Sequence, residues 1–179
     1  MKSLILFITL LASSSIALAL DGKVYTAASC TQSTSGNSVH PQNFSYDNSV
    51  RYSAWGWAYN ASADTDITVI CPIVREHHAS RIYSARLTVV NTTDHGIRCT
   101  IIALSEEGFQ VNESDTFYFP PTLDIDPIVE TLDVKQLMNH PQPYAAYLLK
   151  CGLPHIQSNS KGGGMGIAGI VGYMIEEDN

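Results

Sequence analysis

Apolar and polar positions alternate along this chain in short runs with a period of two. "IYSARLTVVN" sets Tyr83, Ala85, Leu87 and Val89 against Ser84, Arg86 and Thr88, as in a strand with one wet face. After the turn residues "NTTDHG" the pattern returns in "IRCTIIAL", so Ile82 to Leu104 reads as a β-hairpin. Further strands are expected in "DITVICPIV", in "YAAYLLKCGLP" (ended by Gly152 and Pro154) and in the closing "IAGIVGYMIEE". "DTFYFPP" reads as a short strand stopped by two prolines. In "IVETLDV", Ile128, Glu130, Leu132 and Val134 share one side and Val129, Thr131 and Asp133 the other, which leaves its facing open. "RYSAWGWAYN" places Ser53, Trp55, Trp57 and Tyr59 on one side of a single strand.

"NASADT" and "SEEG" read as turns and "SNSKGGGMG" as a flexible loop. Val134 to Asn139 is the one helical competitor, a turn or two long. Leu20 to Ser49, rich in Ser, Thr, Asn and Gly, reads as an irregular lead-in with one short strand near Val24 to Ala28. The expectation is an all-β fold, an antiparallel β-sandwich of Ig-like or jelly-roll-like type, with a partly open β-barrel as the alternative. No linker divides the chain, so residues 20–179 are expected to form a single domain.

The first residues change the picture of where this domain works. Lys2, the apolar run Leu4 to Leu11 and the small-x-small exit Ala17-Leu18-Ala19 form the pattern of a cleaved export signal over residues 1–19. The run is too short for an ordinary spanning helix, and no later segment is long and apolar enough for one. An exported protein, periplasmic or extracellular, is expected, with no integral membrane segment after cleavage. Formal charge is −7, and the positive residues are scattered. Nucleic-acid partners need a concentrated basic footprint, so they are not expected.

Four cysteines, Cys30, Cys71, Cys99 and Cys151, lie far apart, with no C-x-x-C pair to suggest zinc or redox chemistry. An even number in an exported chain points to two disulfides. Three pairings are possible. Cys30–Cys71 and Cys99–Cys151 are favoured, because "GIRCTIIAL" and "AAYLLKCGL" present their cysteines in comparable apolar strands suited to facing one another inside a sheet stack. The other bond then pins the N-terminal lead-in to the body. Pro72, with no N–H for a ladder, marks "CP" as a strand terminus.

Together, an N-terminal-side cysteine, "YN-x-S" before a strand ending "V-x-CPI-x-R", a hairpin closing on "RCTI", then "L-x-CGLP" and a final "GY-x-x-E" resemble a family of small, uncharacterised exported bacterial proteins. The resemblance implies a disulfide-linked, β-rich secreted domain and brings no catalytic residue with it. The segment before "YN" departs from that family in carrying "WGWA".

Candidate chemistry is sparse. Trp55, Trp57 and Tyr59 on one exposed face would form a platform for sugar rings. Aromatic side chains on a strand face are more often core, so burial is the expectation, and exposure of Trp55 and Trp57 would reverse it. Asp124 and Asp126, with Glu130 shortly after, form a weak calcium candidate and the least implausible glycosidase acid pair. No transition-metal site and no cofactor are expected. His77 and His78 would point to opposite faces, and His40, His95, His140 and His155 stand alone as turn or surface residues. Asn43, Asn60, Asn91 and Asn112 match the N-glycosylation acceptor, as several residues do by chance in such a composition.

The expected function is a non-enzymatic binding or structural module whose partner is a glycan or a protein. A secreted glycan-acting hydrolase using Asp124 and Asp126 is the second reading. An inhibitor or assembly subunit using an open sheet edge is the third.

Overall fold

The structure, a computed structural model, describes residues 21–33, 49–75, 81–122, 125–135, 137, 146–158 and 165–178. The first sheet contains β1 (Asp21–Thr26), β3 (Val50–Tyr52), β4 (Ala58–Asn60), β6 (Arg81–Asn91), β10 (Ile128–Leu132) and β14 (Ala168–Asp178). The second contains β2 (Thr31–Ser33), β5 (Ile67–Ile73), β7 (Ile97–Leu104), β8 (Gln110–Glu113), β9 (Phe117–Phe119) and β11 (Ala146–Leu153). A two-stranded ribbon joins β12 (Gln157–Ser158) to β13 (Met165–Gly166). All pairings are antiparallel, and the two separate sheets make a β-sandwich, not the alternative barrel.

Both sheets follow one plan. In each, a long strand gives one edge to a full-length neighbour and shares the other between two short strands. β14 takes β1 along Gly172 to Glu177 and β4 at Gly169 and Ile170. β7 takes β9 along Ile97 to Cys99 and β8 at Ile102 to Leu104.

The period of two decides what is buried. Ile67, Val69, Cys71 and Ile73 of β5, Tyr147, Leu149, Cys151 and Leu153 of β11, and Ile97, Cys99, Ile101 and Ala103 of β7 turn inward. They meet Ala85, Leu87 and Val89 of β6 and Ala168, Ile170, Tyr173 and Ile175 of β14. Fully burying one such aliphatic side chain contributes about 1.5–3 kcal/mol, which makes this contact the main source of stability. In β10, Ile128 and Leu132 lie on the core-facing row opposite Val89 and Ala85, while Val129 and Thr131 face out, which resolves the segment's open facing.

The two disulfides are Cys30–Cys71 and Cys99–Cys151. Neither crosses between the layers. Cys99 and Cys151 are directly opposed on neighbouring strands, and Cys30 continues the β2–β5 register to stand opposite Cys71. Both bonds therefore clamp the second sheet to itself, closing stretches of 41 and 52 residues and contributing about 2–4 kcal/mol each. Pro72 does not end its strand as expected: β5 runs on to Ile73, with Pro72 opposite Leu148. Pro72 lies beyond the β2 pairing, which ends at Thr31 opposite Ile70, so its missing N–H breaks no rung there.

Tyrosine hydroxyls tie the layers together instead. Tyr173 of β14 donates to the Pro72 carbonyl (2.5 Å) and Tyr25 of β1 to the Val74 carbonyl (2.6 Å). The two rings stack with centroids 4.8 Å apart. Burial pushes the Tyr173 hydroxyl above its ordinary pKa, so it remains a donor at any physiological pH.

Three expected elements differ. Residues 82–104 are not a hairpin: β6 pairs with β14 and β10, β7 with β11, β8 and β9, and the turn at 92–96 carries the chain from one sheet to the other. The lead-in is more regular than expected, with β1 fully paired to β14, a 3-10 turn at Ala27–Ser29, and β2. "RYSAWGWAYN" is two strands and a turn, because Gly56 adopts φ 79°, a left-handed conformation that ends a strand. Lys135 and Leu137 are helical, as the competitor segment suggested. Residues 1–20, 34–48, 76–80, 138–145 and 159–164 lie outside the described residues, and with them the export signal, the second half of the lead-in with His40 and Asn43, the pair His77 and His78, His140 and the glycine run.

Candidate functional site

Two places present chemistry to solvent. The first is the tip of the β3–β4 hairpin. The Ser53 N–H donates to the Trp57 carbonyl (2.9 Å) and the Gly56 N–H to the Ser53 carbonyl (3.0 Å). Ser53 Oγ also accepts from the N–H groups of Trp55 (3.2 Å) and Trp57 (3.1 Å). This network fixes the turn, and Gly56 returns the chain into β4. Trp55 stands at the top with 82% of its surface exposed, whereas Trp57 and Tyr59 are half-buried. The expected row of three aromatic side chains therefore does not exist. One indole projects alone, and the expectation that it is core is overturned by its place on a turn.

The second place is a cleft of about 420 Å³ at one end of the second sheet. Its floor is a single cross-strand row on the outer face: Thr68 of β5, Gly152 of β11, Arg98 of β7 and Tyr118 of β9. Its wall comes from loops, with Asp66 before β5, Asp94 and His95 in the 92–96 turn, and Pro154 after β11. Beside it His155 binds Asp66 twice, through ring Nδ1 (2.6 Å) and through its backbone N–H (3.0 Å). The rings of His95 and His155 lie 6.4 Å apart. Partial burial works to raise the Asp66 pKa, but the two hydrogen bonds from His155, with the charges of His155 and His95, outweigh it and hold the carboxyl below its ordinary range. Two of the four histidines expected to stand alone, His95 and His155, are thus brought together.

Two buried asparagines brace these loops. Asn60 Nδ2 donates to the carbonyls of Thr65 (2.9 Å) and Leu153 (3.1 Å), while its Oδ1 accepts from the Ser62 N–H (2.8 Å). Asn91 Nδ2 donates to the carbonyls of His95 (2.9 Å) and Phe119 (3.3 Å), and its Oδ1 accepts from the Thr93 hydroxyl (2.8 Å). Both are completely buried. Their amides are spent on backbone, so neither serves as a glycan acceptor despite matching the acceptor pattern.

No family model matches the chain, and no curated protein matches it. Among solved structures it is similar to carbohydrate-binding modules. The xylan-binding module CBM15 shares 14% identity over 87% of this chain and 95% of that one, with a TM-score of 0.48. The C-terminal CBM6 of a marine laminarinase from Zobellia galactanivorans shares 12% over 87% and 99%, with a TM-score of 0.46. A low-affinity xylan-binding module, CBM86, from Roseburia intestinalis shares 12% over 88% and 96%, with a TM-score of 0.44. At such identity and overlap, none of these assigns a ligand or a residue role to this chain.

The remaining sequence candidates do not assemble. Asp124 lies outside the described residues. Asp126 and Glu130 are exposed and line neither cleft. Among the described residues no three metal-ligating side chains converge. A second, shallower cleft of about 460 Å³ beside β10 carries Lys135 and Asp133, already paired with one another at 3.2 Å. Among the described residues, the outermost strands of the two sheets are short, from the three residues of β2, β3 and β9 to the six of β1. The cleft residues Asp66, Arg98, Tyr118 and Gly152 were missed by sequence reasoning, although one signal was present. Once Cys99 and Cys151 are paired in an antiparallel register, Arg98 and Gly152 must face each other on the opposite side of the sheet.

Proposed function

We propose that this protein is a non-catalytic, glycan-binding β-sandwich of the periplasm or cell exterior, with Trp55 as its contact platform. The observation that carries the reading is the exposed indole on a hydrogen-bonded turn. Leaving so large an apolar side chain in water forgoes about 1.5–3 kcal/mol of burial, and nothing in the turn requires tryptophan there. A flat π face held by fixed backbone suits the C–H groups of a pyranose ring. All four cysteines are bonded, so no thiol nucleophile competes with a binding role. Export, and kinship with small exported bacterial proteins, belong to the same reading. Two disulfides support them, since such bonds form and persist in oxidising compartments.

The test is a polysaccharide panel in affinity electrophoresis with the wild type and Trp55→Ala. Retention by at least one polysaccharide is expected, weakened roughly tenfold or more by Trp55→Ala, the yield of covering about 60–100 Å² of ring at about 25 cal/mol per Å². An unchanged melting temperature should accompany that loss. Absence of retention across the panel, or equal retention by the variant, overturns the reading.

A further inference from the structure

We propose that the strand-end cleft is a second binding site, separate from Trp55, and that it takes a pyranose bearing a carboxylate. Three features of the floor point there. Arg98 turns outward from β7 and, among the described residues, is the one Lys or Arg side chain lining the cleft. Among the described residues no carboxylate forms an ion pair with it. Its planar fork of N–H donors matches a carboxylate in two parallel hydrogen bonds, the geometry for which arginine is suited above lysine.

Next to it in the same row, Tyr118 is 57% exposed, and the hydroxyl end of its ring lies against Gly96 of the 92–96 turn. A Cβ at Gly96 would sit 1.9 Å from Tyr118 Cε2, so only glycine at position 96 allows the ring its place. The tip of the phenol is thereby seated against the turn at Gly96, with more than half of the side chain left to solvent.

On the other side of Arg98 the row continues into Gly152. Packing does not require glycine there. An added Cβ would meet only the Arg98 carbonyl, at 3.9 Å, and the backbone is not left-handed. Glycine inside a strand weakens it and often marks close approach by a ligand. Here it keeps the trough open between Thr68 and Arg98.

The wall supplies the complement. A sugar acid offers hydroxyl donors as well as an anion. The carboxylates of Asp66 and Asp94, the latter exposed, are hydroxyl acceptors, while Arg98 receives the acid group. Because His155 binds Asp66 and the buried Asn60 and Asn91 hold the loops, the site is formed before any ligand arrives. A cleft of about 420 Å³ lies within the usual range for small-ligand sites.

The experiment follows amide and Arg side-chain resonances of the full folded protein by NMR. Methyl β-D-glucuronide, methyl β-D-glucoside and acetate are titrated separately. The glucuronide should shift Gly96, Gly152 and the Arg98 Nε–H, and the neutral glucoside and acetate should not. Arg98→Gln should weaken glucuronide binding roughly tenfold or more, the loss of a charge-assisted pair. Trp55→Ala should leave the shifts unchanged. Silence with the glucuronide, equal response to the glucoside, equal response to acetate, or wild-type binding by Arg98→Gln each overturns the proposal. Loss of the shifts in Trp55→Ala does so too, because the two places would then be one site. Polysaccharide retention that survives while the cleft stays silent would leave the Trp55 reading standing and remove this one.

Discussion

In the hairpin β3–β4 the residues between Ser53 and Gly56 are Ala54 and Trp55. In the hairpin β7–β8 those between Ser105 and Gly108 are Glu106 and Glu107. The two backbones turn alike. Ser105 N–H donates to the Phe109 carbonyl (2.8 Å), Gly108 N–H to the Ser105 carbonyl (2.9 Å), and Gly108 has φ 83° beside the 79° of Gly56. Serine and glycine set the shape, and the two residues between them set what meets solvent. The surroundings differ as well. The first tip belongs to a hairpin fastened to the second sheet by Tyr52, whose hydroxyl donates to the Cys30 carbonyl, and by the Val50 N–H donating to Gln32 Oε1 (3.2 Å). The second stands clear, with Phe109 and Val111 exposed and nothing within 4 Å of a Cβ built at Gly108. One turn thus positions an indole, and the other displays charge.

Exchanging the central pairs should produce the largest effect. Ala54→Glu with Trp55→Glu should abolish polysaccharide retention, because it removes the platform and places two anions on the same frame. The reciprocal Glu106→Ala with Glu107→Trp, made in the Trp55→Ala background, should not restore retention, since among the described residues no hydrogen bond fastens that tip to the first sheet as Tyr52 and Val50 fasten the other to the second. Restoration would mean that any exposed tryptophan suffices and that the fastening of β3–β4 is irrelevant to binding.

Changing the shared glycines should give a smaller and more even effect. Gly56→Ala and Gly108→Ala each put a Cβ into the left-handed region, at a cost of about 1–2 kcal/mol. The neighbours add little: Thr26 Cβ lies 3.8 Å from the added atom at Gly56, and nothing is near it at Gly108. Urea unfolding should therefore show two similar losses that add in the double variant. Only Gly56→Ala should also weaken retention. A Gly56→Ala cost far above that of Gly108→Ala would show that the tether, not the φ angle, dominates at the first tip.

The same comparison shows which parts of the structure were legible in the residues. "SEEG" reads as a turn at once, because two glutamates beside glycine have no claim on a core. "SAWG" carries the same serine and glycine, but the alternating Trp55, Trp57 and Tyr59 imitate a strand face and override the glycine. Periodicity alone cannot weigh the backbone requirement at Gly56. The long strands β5, β6, β7, β11 and β14 were legible because each buries one alternating face, and the cysteine pairing followed from similar strand settings. The path between β6 and β7 was not. A five-residue turn serves a hairpin or a crossing between sheets equally well, and the choice rests on Asn91 sealing the turn from inside. The cleft was illegible for a related reason. Its residues come from four separate segments, and the register of the disulfide-linked strands brings them to one end.

The smallest expected effect separates the tips by pH. At the second tip, a hydrogen bond from the Ser105 hydroxyl and one from backbone hold the Glu107 carboxyl below its ordinary pKa, against a slight opposing effect of burial. A carboxyl with a lowered folded-state pKa contributes its stabilisation above its unfolded value, about 4.3, and loses it as pH falls through the folded value. Residues Ser53 to Trp57 include no group that titrates in this range. In a pH titration followed by NMR, the amides of Ser105, Gly108 and Phe109 should shift together with a midpoint below about 4.3, while those of Gly56 and Trp57 stay flat. Glu107→Gln should remove the common step. If that step persists in the variant, or appears equally at Gly56, the second turn is not held by its carboxylate. The two tips would then differ in display alone.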